Sequence, residues 1–154
     1  MGRRRKVRES ALQVLFQLEF DDSAPDDNLE WYWRDKKPDK DEKDGVIRLV
    51  RSVVSHRDAI DDAIQSVSEH WRLSRMVLVD RNILRIAVFE MMFGEDRLAP
   101  AIVINEAIEI AKKFSGEQSA MFINGILDAL RQKLESNPDE RKHEKDGTDE
   151  PEKT

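Results

Sequence analysis

Cysteine is missing from the chain altogether, so disulfides, thiolate metal sites and cysteine nucleophiles are excluded by arithmetic. Long apolar runs are missing too. The longest stretches, such as Ile83 to Phe93, are broken by Arg85 and Glu90 and fall short of the roughly 20 residues needed to cross a bilayer. That predicts a soluble chain with no membrane partner. There is no Gly-rich phosphate loop, nucleophile elbow or metal-ligand motif in the sequence. Enzyme is therefore the weaker class, and no cofactor or metal is expected. His56 and His70, if joined by one helix, would stand about 21 Å apart and could not share an ion. Asp61 and Asp62 diverge by about 100° on a helix and read as a solvated face rather than an acid–base pair.

What is present begins with a length of 154 residues, enough for one domain or two small helical halves sharing a core. The net charge of −6 argues at first against nucleic acid, because a polyanion needs a local excess of positive charge. The distribution reverses that reading. Arg3, Arg4, Arg5, Lys6 and Arg8 crowd the first eight residues, while much of the acid lies in a middle loop and in the tail. Guanidinium groups bind phosphate in two-pronged fashion and stay charged. A solubilising terminus is the competing explanation, but this segment runs directly into an amphipathic stretch that anchors it to a folded body. Leu12 to Phe16 is too short for a signal peptide, and Glu9 and Glu19 spoil a transit peptide. The N-terminus is expected to be retained and the chain to be cytoplasmic.

Apolar spacing predicts about seven helices, no strand and no repeat. From Glu9 to Phe20, Ala11, Leu12, Leu15 and Phe16 form the first buried stripe. Asn28 is a plausible N-cap for a short helix carrying Trp31, Tyr32 and Trp33, of which at least one should be exposed. Residues 35–45 read as a charged loop, and Val46 to Val67 as helix with a break near His56 to Asp58. A further helix runs through Val79, Ile83, Ala87 and Met91, with Gly94 at its left-handed C-terminal position. Pro100 opens the next helix, which Gly116 ends. The last carries Phe122, Ile123, Ile126, Leu127, Leu130 and Leu134, and Gly125 within it suggests a close helix approach. The domain reading is 1–8 basic segment, 9–136 helical domain and 137–154 disordered charged tail.

Phe114 and Phe122 flank the Gly116 turn, where aromatic rings are candidates to stack on unpaired bases; core packing is the competing role for each. The sequence resembles the NusB family of transcription antitermination factors in three segments: RRRKVRESALQVLFQLEF (Arg3 to Phe20), DRNILRIAVFEM (Asp80 to Met91) and AIVINEAIEIAKKFSGEQSAMFINGILDAL (Ala101 to Leu130). The resemblance implies an all-α fold of two small helical bundles sharing a core. It also implies binding to the boxA element of nascent RNA together with the ribosomal protein NusE, within the transcription elongation complex. Carried over by position, Arg3, Arg4, Arg5, Lys6 and Arg8 fall in the arginine-rich RNA-binding motif. Phe114, Gln118 and Phe122 fall in a second RNA-facing region, and Phe16 and Asp80 on the NusE-facing side. The family's usual pattern departs here at Phe16, Asp80, Gln118, Ala120 and Met121. Asn105, Glu106 and Asn124 are family-typical and read as structural.

The leading reading is thus an RNA- and protein-binding module that makes and breaks no bond. One alternative is a protein-interaction adaptor without RNA binding. The other is the isolated NusB-like domain related to RNA cytosine methyltransferases, although no cofactor-binding βαβ segment follows Leu134. A homodimer that masks the basic segment is compatible with the sequence.

Overall fold

A computed structural model describes residues 2–21, 25–34, 36–94 and 98–136, with side chains from Arg4 onward. The disordered tail expected over 137–154 lies outside the described residues. Seven α-helices account for the described chain: α1 Gly2–Leu18, α2 Pro25–Trp33, α3 Lys40–Ser55, α4 Arg57–Ser66, α5 Leu78–Met92, α6 Pro100–Phe114 and α7 Glu117–Ser136. A short 3₁₀ turn, Leu73–Arg75, lies between α4 and α5.

Helix α5 is the axis of the molecule. It packs against α1, α3, α4, α6 and α7, so it is covered nearly all round, with Ile83, Leu84, Ile86, Ala87, Val88, Met91 and Met92 buried. Helices α1, α2 and α3 make one bundle and α4, α6 and α7 complete the other, with a shared apolar core. A helix apolar on most of its faces needs such cover. The fold is all-α, as the apolar spacing predicts, with two bundles about one core, as the resemblance implies.

Polar residues on α5 are buried with partners. Glu19, just past α1, accepts hydrogen bonds from Arg81 (2.8 Å), Asn82 (2.9 Å) and Arg85 (3.0 Å). Arg85 also grips Asp61 of α4 at 2.8 and 3.0 Å. Asp61 is therefore an ion-pair partner that joins α4 to α5, not part of a solvated face. Burial acts to raise the Glu19 pKa, but the hydrogen bonds from Asn82 and Arg81 and the charges of Arg81 and Arg85 outweigh it, so the carboxyl sits below its ordinary value.

Several boundaries differ from expectation for identifiable reasons. Helix α1 starts at Gly2 rather than Glu9, because Arg5 and Arg8 have acidic partners inside the fold. Asn28 is buried within α2 instead of capping it. Helix α3 begins at Lys40, inside the expected loop, where the Asp39 carboxylate accepts from Glu42 N–H at 2.7 Å. The break at His56 and Pro100 in the first turn of α6 stand as predicted. Of the described glycines, Gly116 takes the left-handed turn, with φ +124°, whereas Gly94, expected in that conformation, does not. Gly94 is needed for space, since a Cβ there would lie 2.7 Å from the Glu90 carbonyl oxygen. Gly125 faces open space, so no close helix approach explains it.

Candidate nucleic-acid interface

The basic cluster forms the first two turns of α1, and helical geometry divides it. Positions 5, 8, 12 and 15 share one face, so Arg5 and Arg8 continue the inward stripe of Leu12 and Leu15. Arg5 is held in two-pronged fashion by Glu106 of α6, at 2.9 and 3.0 Å. Arg8 is only 4 % exposed; its Nε donates to both Glu90 oxygens at 2.8 and 3.1 Å, and its Nη1 lies 3.8 Å from Glu106. The hydrogen bonds from Arg5, aided by its charge and that of Arg8, hold the Glu106 carboxyl below its ordinary pKa despite burial. Arg4 and Lys6 are exposed, leaving α1 on different sides of the helix. The Arg3 side chain lies outside the described residues. The cluster thus does two jobs: Arg5 and Arg8 dock the helix, and Arg4 and Lys6 give its outer surface positive charge. Arg8, enclosed by carboxylates, is removed from the set available to phosphate.

A second group sits at the α6–α7 turn. Lys113 reaches Glu9 of α1 at 3.0 Å, and its ammonium stands 5.6 Å from the centre of the Phe114 ring. That contact joins the turn to the basic helix. Gly116 then reverses the chain, its N–H and that of Ser115 both donating to the Ala111 carbonyl at 2.8 Å. Gln118 and Phe122 lie one turn apart on α7. Gln118 is exposed, Phe114 is borderline exposed, and Phe122 is half-buried with its ring edge-on to Trp71.

Asp80 lies beneath this turn. The resemblance assigned it to a partner-facing surface, but its side chain is buried and each oxygen accepts a hydroxyl, Ser115 Oγ at 3.0 Å and Ser119 Oγ at 3.0 Å. A carboxylate so placed offers a partner no open edge; it straps the turn to the start of α5. Phe16, placed by its spacing in the buried stripe and by the resemblance on a partner-facing side, is 37 % exposed and so leaves the stripe; its ring lies 5.3 Å from that of Phe20, which is exposed too.

A model of the NusB family matches residues 5–132. The chain belongs to the NusB family. Transcription antitermination protein NusB of Anaeromyxobacter dehalogenans is 45 % identical over 130 residues, covering 84 % of this chain and 90 % of that protein. The Leptospira biflexa protein of the same name is 44 % identical over 133 residues, covering 86 % and 94 %. Among solved structures, T. maritima NusB superposes with a TM-score of 0.77 at 38 % identity, covering 91 % of this chain and 96 % of that one. A crystal structure of antitermination factors NusB and NusE in complex with dsRNA gives a TM-score of 0.76 at 27 % identity, covering 86 % and 98 %.

Within this NusB-family fold, sequence reasoning missed two things. Glu106, read from the sequence as structural, is one partner of the inward arginines; Glu90, the other, was missed, although an acid at helical spacing among core residues signals a buried cation. Trp71 borders Phe122 in a polar stretch, Glu69-His70-Trp71-Arg72. A tryptophan with no apolar neighbours in its immediate sequence is the signal that was available.

Proposed function

We propose that this chain is a cytoplasmic transcription antitermination factor that binds the boxA element of nascent RNA together with NusE and presents it to the elongating polymerase. It works by assembly, with no bond made or broken. The observation that carries the reading is the Glu9–Lys113 pair at 3.0 Å, which ties α1, the helix of the exposed Arg4 and Lys6, to the α6–α7 turn of Phe114, Gln118 and Phe122. The two elements together offer a single strand both things it needs, charge for phosphates and flat rings for unstacked bases.

Arg3 and Arg4 with Lys6 contact the backbone, and Arg5 contributes its remaining exposed edge. Arg8 and Asp80 act through the elements they hold. Phe16, with Phe20, supplies the surface for NusE on the far part of α1. The relatives' names and the NusB–NusE–dsRNA complex support this assignment. The test is binding of a boxA-type oligonucleotide and a scrambled one by the full chain, alone and with NusE. Preference for boxA that strengthens with NusE is expected. Equal, weak binding of both strands in either condition would overturn it.

A further inference from the structure

Trp71 is a large apolar side chain left 57 % exposed in the turn between α4 and α5. The turn itself is clamped. Trp71 N–H donates to the Ser68 carbonyl at 3.3 Å, and the Trp71 carbonyl accepts from Ser68 Oγ at 2.8 Å and Gln65 Nε2 at 3.0 Å. Gln65 Oε1 in turn accepts from Leu73 N–H at 2.9 Å. Four hydrogen bonds therefore fix the backbone on either side of an indole that buries little of its own surface.

The indole meets Phe122 edge to face, with ring centres 5.9 Å apart and planes at 80°. Two rings at right angles form a corner, of which the indole is the more exposed wall. Gln118 and Gly125 share the helical face of Phe122, and Gly125, open to solvent, adds no side chain to cover it. Exposed Arg72 and Arg75 follow Trp71, exposed His70 precedes it, and Glu69 is the one acid in the turn. An apolar protein partner would be better served by an apolar surround. Rings beside guanidinium groups fit a flat, uncharged base attached to a phosphate. Phe122 also lies one turn from Gln118 on α7, so the corner adjoins the region already assigned to a strand.

We propose that Trp71 and Phe122 together form a stacking corner for one unpaired nucleobase of the bound RNA. This deepens the RNA-binding reading above and rests on it. A strand would run from the phosphate-binding turns of α1, past Phe114 and Gln118, and place a base against the indole.

The test uses the full chain, Trp71→Ala and Trp71→Phe, titrated with a single-stranded boxA-type RNA and with inorganic polyphosphate, which has charge but no bases. The clamp uses main-chain atoms of residue 71, so both variants should melt as the parent does. Trp71→Ala should raise the Kd for RNA by about 5- to 150-fold, the range of one stacked base. Trp71→Phe should recover most of that loss, and polyphosphate binding should be unchanged in both. In a Trp31→Phe, Trp33→Phe background Trp71 is the sole tryptophan, and RNA should quench its emission. Emission unmoved by bound RNA would overturn the proposal, as would a Trp71→Ala protein that keeps its RNA affinity or loses RNA and polyphosphate alike. Loss of NusE binding with RNA binding intact would mark the corner as a protein-docking surface instead. If the parent chain binds no RNA, the underlying reading falls too; if the parent binds and Trp71→Ala binds equally, only the corner falls.

Discussion

Glu106 holds Arg5 with both carboxylate oxygens and lies 3.8 Å from Arg8, beneath the helix that carries the outward cations. Two views of this residue predict opposite signs. If the basic cluster acts only as a sum of charges, removing a nearby carboxylate should tighten RNA binding. If Glu106 positions α1, as its burial and two-pronged grip argue, its loss should loosen the first turns and weaken binding. Glu106→Gln is therefore expected to cost about 1–3 kcal/mol of stability, the range for a buried charged hydrogen bond left imperfectly made. It is also expected to lower RNA affinity and to speed amide exchange at the start of α1. Tighter binding with unchanged exchange would support the charge-sum view. At this scale the sequence was legible for residue type but not for direction. Five basic residues announce themselves, whereas which of them turn inward depends on Glu90 and Glu106, some 80 and 100 positions away.

At the scale of elements, hydrophobic periodicity located every helix, because each buries one stripe against α5 or its neighbours. It failed at the ends of α1 and α3, where polar contacts rather than apolar spacing extend the helix. Glycines were legible by count and not by role. Gly116 and Gly125 make this testable in one pair of variants. Gly116→Ala forces a Cβ onto φ +124° and should destabilise the protein by about 1–2 kcal/mol, also disturbing the Phe114 and Gln118 corner. Gly125→Ala enters open space on an exposed helix and should stabilise by about 0.5–1 kcal/mol. Urea unfolding of both variants checks the opposed signs. Asp80 belongs here too, since a residue read from resemblance as a contact proves to be the strap between α5 and the α6–α7 turn.

For the whole molecule, two buried carboxylates link pH to stability. Glu19 and Glu106 both have pKa values lowered in the folded state, so the unfolded chain binds their protons more readily. Their contribution is present above the ordinary glutamate value and is lost as pH falls through the lower folded values. Stability should therefore be nearly level near neutrality and decline once pH drops below about 4.5. Glu19→Gln should be less stable at pH 7 and show a shallower acid decline, measured by urea titrations at a series of pH values. A variant with the parent's full acid slope would contradict the assignment. The all-α, two-bundle fold was readable from periodicity and family resemblance together. The buried network of Glu19, Arg81, Asn82, Arg85 and Asp61 was not, because its members come from three separate helical regions.

The central claim is that the strand is held by two separable means: its phosphates by the exposed cations at the start of α1, and its bases by the α6–α7 corner. Salt dependence separates them most directly. Each neutralised phosphate contributes about −0.7 to the slope of log K against log salt for a single strand, so replacing Arg4 and Lys6 with neutral residues should flatten the slope by up to about 1.4. It should weaken boxA and scrambled RNA by similar factors, because phosphate contacts carry no sequence information. Phe122→Ala, first shown to melt normally, should leave the slope nearly alone and narrow the gap between the two RNAs. The measurement is therefore the salt slope and the boxA-to-scrambled affinity ratio for the parent and these two variants, with and without NusE. A slope that falls only in the Arg4/Lys6 variant and a ratio that falls only in Phe122→Ala is the predicted result. A Phe122→Ala protein that keeps the full preference for boxA in both conditions, or an Arg4/Lys6 variant with the parent's slope, would contradict it.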